Sequence, residues 1–427
     1  MMNFDELNIS DEIRNAIGQM GFSKLTPIQE RAIPIALKGI DITAQAQTGS
    51  GKTIAFAIPV LEKIFIDDKS PQAIILCPTR ELCLQVAGEI EKVGAYIKKL
   101  KVLAVYGGQP IGKQTRVLKK GVHIVVGTPG RIIDHIQKGN LDLIGVERVV
   151  LDEADEMLDM GFRQDIEKIL GENPYRKQTL LFSATIPQEI REIAKDYQNN
   201  PKFIKISNKK QNIPKITQYA FKTNHKHKFD DLVRLIEAYD INSALIFSNT
   251  KRGVDFIYKN LKKHECSVES LHGDMNQKLR DKVMNKFRNG NVSFLIATDV
   301  AGRGLDISNL DFIINYDVPQ NYDSYIHRIG RTARAGSSGF AFTLVTKEDL
   351  INFNNIKNAS KSKIIEKKLP TDSEMEDIKN KRVLDEVKNS IELDNLEEYI
   401  NAIKKNSSAD IALEEIAAGL LKKVRKN

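Results

Sequence analysis

Eight residues near the start of the chain, Ala46-Gln-Thr-Gly-Ser-Gly-Lys-Thr53, restrict the fold more than any other run. They match a phosphate-binding loop, a pattern that works only between a strand and a helix. In such a loop the backbone of Gln47, Thr48, Gly49, Ser50 and Gly51 closes its N–H groups around phosphate oxygens. Lys52 carries a charge to the β and γ oxygens, and Thr53 offers a hydroxyl to Mg2+. The flanks agree. Asp41-Ile-Thr-Ala44 is short and weakly strand-like, and Ile54-Ala-Phe-Ala-Ile-Pro-Val-Leu61 is apolar with helical spacing, Pro59 being out of place. The loop therefore demands an α/β fold.

About 100 positions later, Asp152-Glu-Ala-Asp155 follows the apolar run Val149-Val-Leu151. That run has the character of a buried strand, so two acids stand at a strand's carboxyl end, where open α/β sheets bind ligands. Together the two runs imply hydrolysis of a nucleoside triphosphate. Thr53 and Asp152 are the candidate Mg2+ ligands, and Glu153 is the candidate base or water-orienting group. Asp155 is expected to bond Ser183 or Thr185 rather than nucleotide.

Further apolar runs alternate with helical stretches in the first half: Ala73–Cys77, Val102–Val105, His123–Val126 and Thr179–Phe182, with helices over Glu81–Val93 and Gln188–Tyr197. Buried parallel strands have this character. Asn199-Asn-Pro201 breaks the pattern, and the polar stretch Ser207–Pro214 has the composition of a linker. A second series follows at Ala244–Phe247, Val268–Leu271, Phe294–Ala297, Phe312–Tyr316 and Phe340–Val345. The expectation is two doubly wound parallel-sheet α/β domains, residues 1–206 and 217–365, joined by a linker at 207–216. The second lacks a phosphate-binding loop, so it cannot be a second such site but could complete the first.

Composition sets limits. The 427 residues suggest roughly two to four domains, and no apolar run reaches the ~18 residues of a membrane span. The start, Met1-Met-Asn-Phe-Asp-Glu6, has no leader-like basic or apolar region. Three cysteines without metal-like spacing fit a reducing cytoplasm. Net charge is +8, yet Asp372–Asn427 holds 10 Lys and Arg against 13 Asp and Glu. The positive field therefore lies in the first 371 residues, where a polyanion would be held. With no Trp and 7% aromatics, contact with a sugar–phosphate backbone is favoured over base stacking.

Other short runs complete an ordered set. In the first half stand Gly21-Phe22 and Thr26-Pro-Ile-Gln29, with Phe4 seventeen positions before Gly21. Pro78-Thr-Arg-Glu-Leu82, Gly107-Gly108, Thr128-Pro-Gly-Arg131 and Ser183-Ala-Thr185 follow. In the second half stand Phe247, Gln277 with Arg280, Thr298-Asp299 through Arg303-Gly-Leu-Asp306, and His327-Arg-Ile-Gly-Arg331 with Arg334. Over about residues 4–346 the chain resembles the DEAD-box RNA helicases. Its departures at Leu25, Gly302 and Ala333 remove no charged or hydrogen-bonding group.

The resemblance implies tandem RecA-like domains, ATP with Mg2+, and RNA as partner. It implies that Phe4, Thr26 and Gln29 meet the adenine end of ATP, with Phe4 either stacking on the base or packing as a core ring. Gly304 and Asp306 would add to the ATP site from the second domain. Thr79, Arg80, Gly108, Thr128 and Arg131 in the first domain, and Gln277, Arg280 and Thr298 in the second, would follow the RNA backbone. Asp155, Ser183 and Thr185 would couple the two sites, and the bound strand would be bent so that a short duplex opens locally.

Residue chemistry adds detail. The Gln29 amide can pair bidentately with adenine N6 and N7, which selects ATP over GTP. Arg331 and Arg334, at i and i+3 of a helix-like run, share a face and are the candidate arginine fingers. With Lys52, Asp152 and Glu153 on one domain and the fingers on the other, hydrolysis requires closure. RNA spanning both domains must then assist ATP binding, and the reverse. A DNA translocase would share the loop and the arginines. An RNA clamp or annealing factor would share the surfaces. The run at Gln29 and the acids at 152–155 favour RNA by resemblance, and Lys52, Glu153 and Arg331 favour an active enzyme.

The chain is most similar in style to bacterial cold-shock members of the family, which implies a cytoplasmic protein with roles and partners in RNA decay or ribosome assembly. The tail 372–427 has three apolar stripes at helical spacing, for example Leu384 and Val387, then Tyr399, Ile400 and Ile403, then Ile416 and Leu420. So small a helical module is marginal alone. It either packs on the second domain or makes a homodimer, and the resemblance tips the expectation to the homodimer.

Overall fold

The structure is a computed structural model. It describes the chain apart from residues 1, 48, 174, 207–214, 274, 276, 303–309, 333–337, 361, 394–395, 407–411 and 425–427. The first sheet contains β1 (Ile42–Gln45), β2 (Ala73–Leu76), β3 (Val102–Val105), β4 (Ile124–Gly127), β5 (Arg148–Leu151), β6 (Gln178–Ser183) and β7 (Lys202–Lys205). The second contains β8 (Lys215–Lys222), β9 (Ala244–Phe247), β10 (Val268–Leu271), β11 (Phe294–Ala297), β12 (Phe312–Asn315), β13 (Ser338–Val345) and β14 (Ile364–Lys367). The orders are β3-β4-β2-β5-β6-β1-β7 and β10-β11-β9-β12-β13-β8-β14. Strand for strand the second sheet repeats the first, and every pairing is parallel.

The inner strands are apolar on both faces because helices cover both. On one side of the first sheet, Phe56, Ile58, Val86 and Ile90 from the helices Lys52–Leu61 and Arg80–Val93 form a core. On the other side, Ile132, Met157, Ile166 and Ile190 form a second. Each such side chain gains ~1.5–3 kcal/mol from burial. Sheet and helices together fix the loops that leave the carboxyl ends of the strands.

The structure corrects three expectations. The chain does not leave the first sheet at Asn199–Pro201 but runs on into β7, which pairs with β1. In β7, Lys202, Phe203 and Lys205 are exposed and Ile204 is buried, so an edge strand carries no apolar run. The linker range 207–216 overlaps the first two residues of β8, and β14 carries the second sheet past residue 365 to Lys367. Residues 207–214 lie outside the described residues. The helical stretch expected over Ile54–Leu61 forms as the helix Lys52–Leu61 and continues through Pro59, which is buried with Ile58 and Val60. Tertiary packing there outweighs the lost N–H.

The tail forms three helices, Asp372–Leu393, Glu397–Asn406 and Leu413–Val424. The start of the first is held on the second domain by Arg234–Asp372 (2.6 Å), Lys379–Glu237 (3.1 Å) and Arg382–Asp240 (3.2 Å), with Met375 buried beneath. Farther on, Leu384, Val387, Ile391, Tyr399, Ile400, Ile403 and Leu420 are exposed. Among the described residues no helix is long and apolar enough to cross a membrane.

Candidate active site

Three loops meet at the carboxyl ends of the neighbouring strands β1, β6 and β5. After β1 comes the phosphate loop, with Gly51 at φ +90° as N-cap of the helix Lys52–Leu61. A Cβ on Gly51 would stand 2.5 Å from Gln29 Nε2, so a side chain there is strained by conformation and must displace the Gln29 amide. Lys52 is 6% exposed, and its Nζ has no hydrogen-bond partner among the described residues. An ammonium so placed at a helix N-terminus fits a phosphate. Burial alone would lower the Lys52 pKa, but Asp152, Glu153, Asp155 and Glu156 around it outweigh burial and raise it.

The four acids follow β5. Burial pushes the Asp152 carboxyl up to about 7, against the pull of Lys52 and with the push of Glu153. Asp152 Oδ1 accepts the Glu153 N–H at 3.0 Å. An acid made reluctant to ionise in this way fits a divalent cation, which would restore the carboxylate. Glu153 has φ +51°, a left-handed conformation that costs a non-glycine residue ~1–3 kcal/mol and is kept at functional positions. Burial pushes the Glu153 pKa up, but Lys52, a hydrogen bond from Glu156, Arg331 and His327 together bring it below the ordinary value.

Asp155 stitches the acids to the loop after β6. Its Oδ2 accepts from Thr185 N–H (2.8 Å) and Oγ1 (2.9 Å), and its own N–H donates to Ser183 Oγ (3.2 Å). The Ser183 carbonyl accepts from Ala46 N–H (2.9 Å), so β1, β5 and β6 share one bonded unit.

Gln29 is buried beside the phosphate loop. Its Oε1 accepts from Thr26 N–H (2.9 Å) at the start of the helix Pro27–Ala36, and its Nε2 donates to Gly51 O (3.1 Å). The amide is thus a helix cap and a strut to the loop. Phe4 packs at 3% exposure in the first-domain core, which also holds Leu25 and Ile28. The bridge Asn3–Lys24 ties its segment to the stretch before Thr26. In this structure Phe4 is a core ring.

The second domain faces this site. His327 Nδ1 lies 3.4 Å from Glu156 Oε1, and Arg331 is 6% exposed. The helix Tyr322–Ile329 ends at its cap Gly330, so Arg331 lies beyond it and not within the helical run expected for it. Thr332 instead forms a bridge with Leu310. Thr48, Gly304, Asp306 and Arg334 lie outside the described residues. Arg328, 1% exposed, pairs with Asp299 and donates to Asn249 Oδ1 (2.7 Å) and Asp317 O (2.7 Å), holding three loops of its own domain.

The RNA candidates lie along one side of both sheets. Thr79 caps the helix Arg80–Val93 after β2, Gly108 (φ +81°) follows β3, and Thr128 caps Pro129–Gln137 after β4. Arg131 donates to Gln109 O (3.0 Å) and Gln114 Oε1 (3.3 Å). In the second domain, Gln277 opens the helix Gln277–Arg288 after β10, and Thr298 follows β11. Two crossed ion pairs join the domains: Arg80 to Asp281 (3.3 Å) and Glu81 to Arg280 (3.2 Å). The repeated topology also reveals partners not evident in the sequence. Thr250 caps its helix after β9 as Thr79 does after β2, with Lys251 in the place of Arg80. β9 occupies in the second sheet the place of β2 in the first, which puts Thr250 and Thr79 at equivalent positions.

Comparisons with known proteins agree with this geometry. The DEAD/DEAH box helicase model matches residues 26–193, and the helicase conserved C-terminal domain model matches 227–336. The chain is 46% identical over 405 residues to a DEAD-box ATP-dependent RNA helicase, CshA, of Geobacillus kaustophilus, covering 95% of this chain and 86% of that protein. It is 42% identical over 419 residues to CshA of Bacillus subtilis, covering 98% and 85%. Among solved structures it is similar to S. cerevisiae Dbp5 bound to RNA and ADP BeF3, with a TM-score of 0.77 and 32% identity over 89% of this chain and 99% of that one.

Proposed function

The chain belongs to the DEAD-box ATP-dependent RNA helicases, and on that premise we propose how its own residues carry out the cycle. ATP lies with its phosphates on the loop Gln47–Thr53 and its adenine toward Gln29 and Thr26. Lys52, a buried ammonium without a hydrogen-bond partner among the described residues, takes the β and γ oxygens. Asp152 and Thr53 would hold Mg2+, which when bound neutralises phosphate charge. Glu153, kept ionised by its cationic surroundings, orients the attacking water and accepts its proton. Arg331 enters from the second domain to meet charge developing on the γ-phosphate.

The observation that carries this reading is the juxtaposition across the domain boundary: a buried acidic cluster and Lys52 on one side, His327 and Arg331 on the other. RNA runs along Thr79, Arg80, Gly108, Thr128 and Arg131, then Gln277, Arg280 and Thr298, with Thr250 and Lys251 as further contacts. The crossed ion pairs Arg80–Asp281 and Glu81–Arg280 join the domains at this surface, so they support the same closed arrangement that a strand bound across both domains would favour. RNA bound to both domains then favours the closed state that hydrolyses ATP. Glu153→Gln is expected to bind ATP and RNA yet lose about 10²–10⁴-fold in turnover. Near-normal turnover removes Glu153 from the mechanism. ATPase assays with RNA and DNA of one sequence separate the helicase from a DNA translocase, since only RNA offers a 2′-OH.

By family likeness the protein acts in the cytoplasm on RNA in decay, ribosome assembly or cold adaptation. Its tail makes a homodimer, supported by the exposed apolar side chains of the three terminal helices. Light scattering on the full chain and on residues 1–370 tests this; a full-length monomer at micromolar concentration contradicts it.

A further inference from the structure

Asp152, Glu153, Asp155 and Glu156 are 2%, 6%, 6% and 2% exposed. The first three have tasks in ATP use or in coupling. Glu156 has none, although a buried acid costs stability unless its bonds serve a purpose. Two contacts suggest the purpose. Glu153 is the N-cap of the helix Ala154–Asp159 and Glu156 is its third residue, positions whose side chains meet on one face. There Glu156 hydrogen-bonds the Glu153 carboxylate. On its other side, Glu156 Oε1 lies 3.4 Å from His327 Nδ1, a residue 171 positions away on the second domain. Glu153 itself sits in a strained left-handed conformation, so its carboxylate needs an external hold.

We propose that Glu156 is a positioning residue that links domain closure to Glu153. His327 reaches Glu156 only when the domains meet. Glu156, fixed from that side, holds the Glu153 carboxylate where it can orient water. RNA, by favouring closure, thereby sets the geometry of the base as well as delivering Arg331. The inference rests on Glu153 being the water-activating group.

The test is RNA-stimulated ATP turnover of the full chain. Glu156→Met keeps the length of the side chain and its burial but removes both polar contacts. It is expected to lower kcat about ten- to hundredfold, the scale of a misplaced catalytic group, with KM for ATP unchanged. Glu156→Gln can still donate to Glu153 and keeps its side-chain oxygen beside His327, and restores most of the rate. His327→Ala, which leaves the first domain intact, gives the same loss as Glu156→Met. The double variant Glu156→Met with His327→Ala is no worse than either alone, because both cut one link. Wild-type kcat in Glu156→Met, equal rates for Met and Gln, or losses that multiply in the double variant overturn the inference. Glu153→Gln measured alongside separates the two levels. If it turns over normally, the role of Glu153 fails and the inference with it. If it is inactive while the Glu156 and His327 losses multiply, the inference alone fails.

Discussion

Gly51→Ala tests whether the phosphate loop and the Gln29 segment act as one unit. Gly51 sits at φ +90°, and an added Cβ would lie 2.5 Å from Gln29 Nε2, 3.0 Å from Thr26 Oγ1 and 3.2 Å from Gln29 Cδ. The backbone conformation costs an alanine roughly 1–2 kcal/mol. Moving the flexible Gln29 aside gives up its bond to Gly51 O, worth about 0.5–1.5 kcal/mol. Since phosphate binding needs the loop in this form, the two costs weaken ATP binding by roughly 10- to 400-fold. Gly49 supplies the control. It has φ +79° but nothing within 4 Å of its added Cβ, so Gly49→Ala meets the first cost alone, roughly 5- to 30-fold. Titration of a fluorescent ATP analogue into the full chain, with thermal melting to check folding, reads both. ATP binding by Gly51→Ala within about threefold of wild type, under 1 kcal/mol, would refute the argument.

Gln29→Ala removes the amide that braces Gly51 and that we propose reads the adenine. It is expected to relax selection against GTP by about 1–3 kcal/mol, by analogy with bidentate base readout, and unchanged preference in competition binding counts against that role. In the second domain, burial raises the Asp317 pKa, but Lys228 (2.7 Å), Ser248 Oγ (2.6 Å) and the Asn249 N–H (3.0 Å) bring it below the ordinary 3.8. A depressed folded pKa contributes stability above the unfolded value and loses it as pH falls through the folded value. Asp317→Asn leaves buried Lys228 unpaired and should cost ~3–5 kcal/mol at pH 7, a gap that closes on acidification below about pH 4. A denaturant-unfolding gap that stays constant with pH refutes the assignment.

The parts legible in the sequence share a physical character. β2, β4 and β9 are apolar runs because helices cover both their faces, and the pattern marks burial directly. β7, β8 and β14 were not legible because they lie at or next to sheet edges, where one face or one side is wet and the run is broken by Lys, Thr or Glu. Lys52, Asp152 and Glu153 were legible as candidates because phosphate and water chemistry calls for those residue types at the carboxyl ends of strands, here β1 and β5 on either side of β6. The end of the helix before Arg331 was not, since Gly330 sits inside a run whose spacing suits a helix. Glu156, the Arg80–Asp281 and Glu81–Arg280 pairs, and the likeness of Thr250 to Thr79 depend on how two domains meet or repeat, and no local pattern encodes that. Gln29 was legible as a functional amide, but its bonds to Thr26 and Gly51 depend on a helix docking against a loop 22 residues away.

The central claim is that one ATP site is divided between two domains, with the second domain's cation completing chemistry begun on the first. Arg331 is buried at the boundary, and its charge helps hold the Glu153 pKa down. The most direct measurement is RNA-stimulated ATP turnover by full-length Arg331→Ala beside its ATP affinity. A shared site predicts a loss of about 10³–10⁵-fold in turnover with ATP affinity close to wild type. Turnover near the wild-type rate would contradict it.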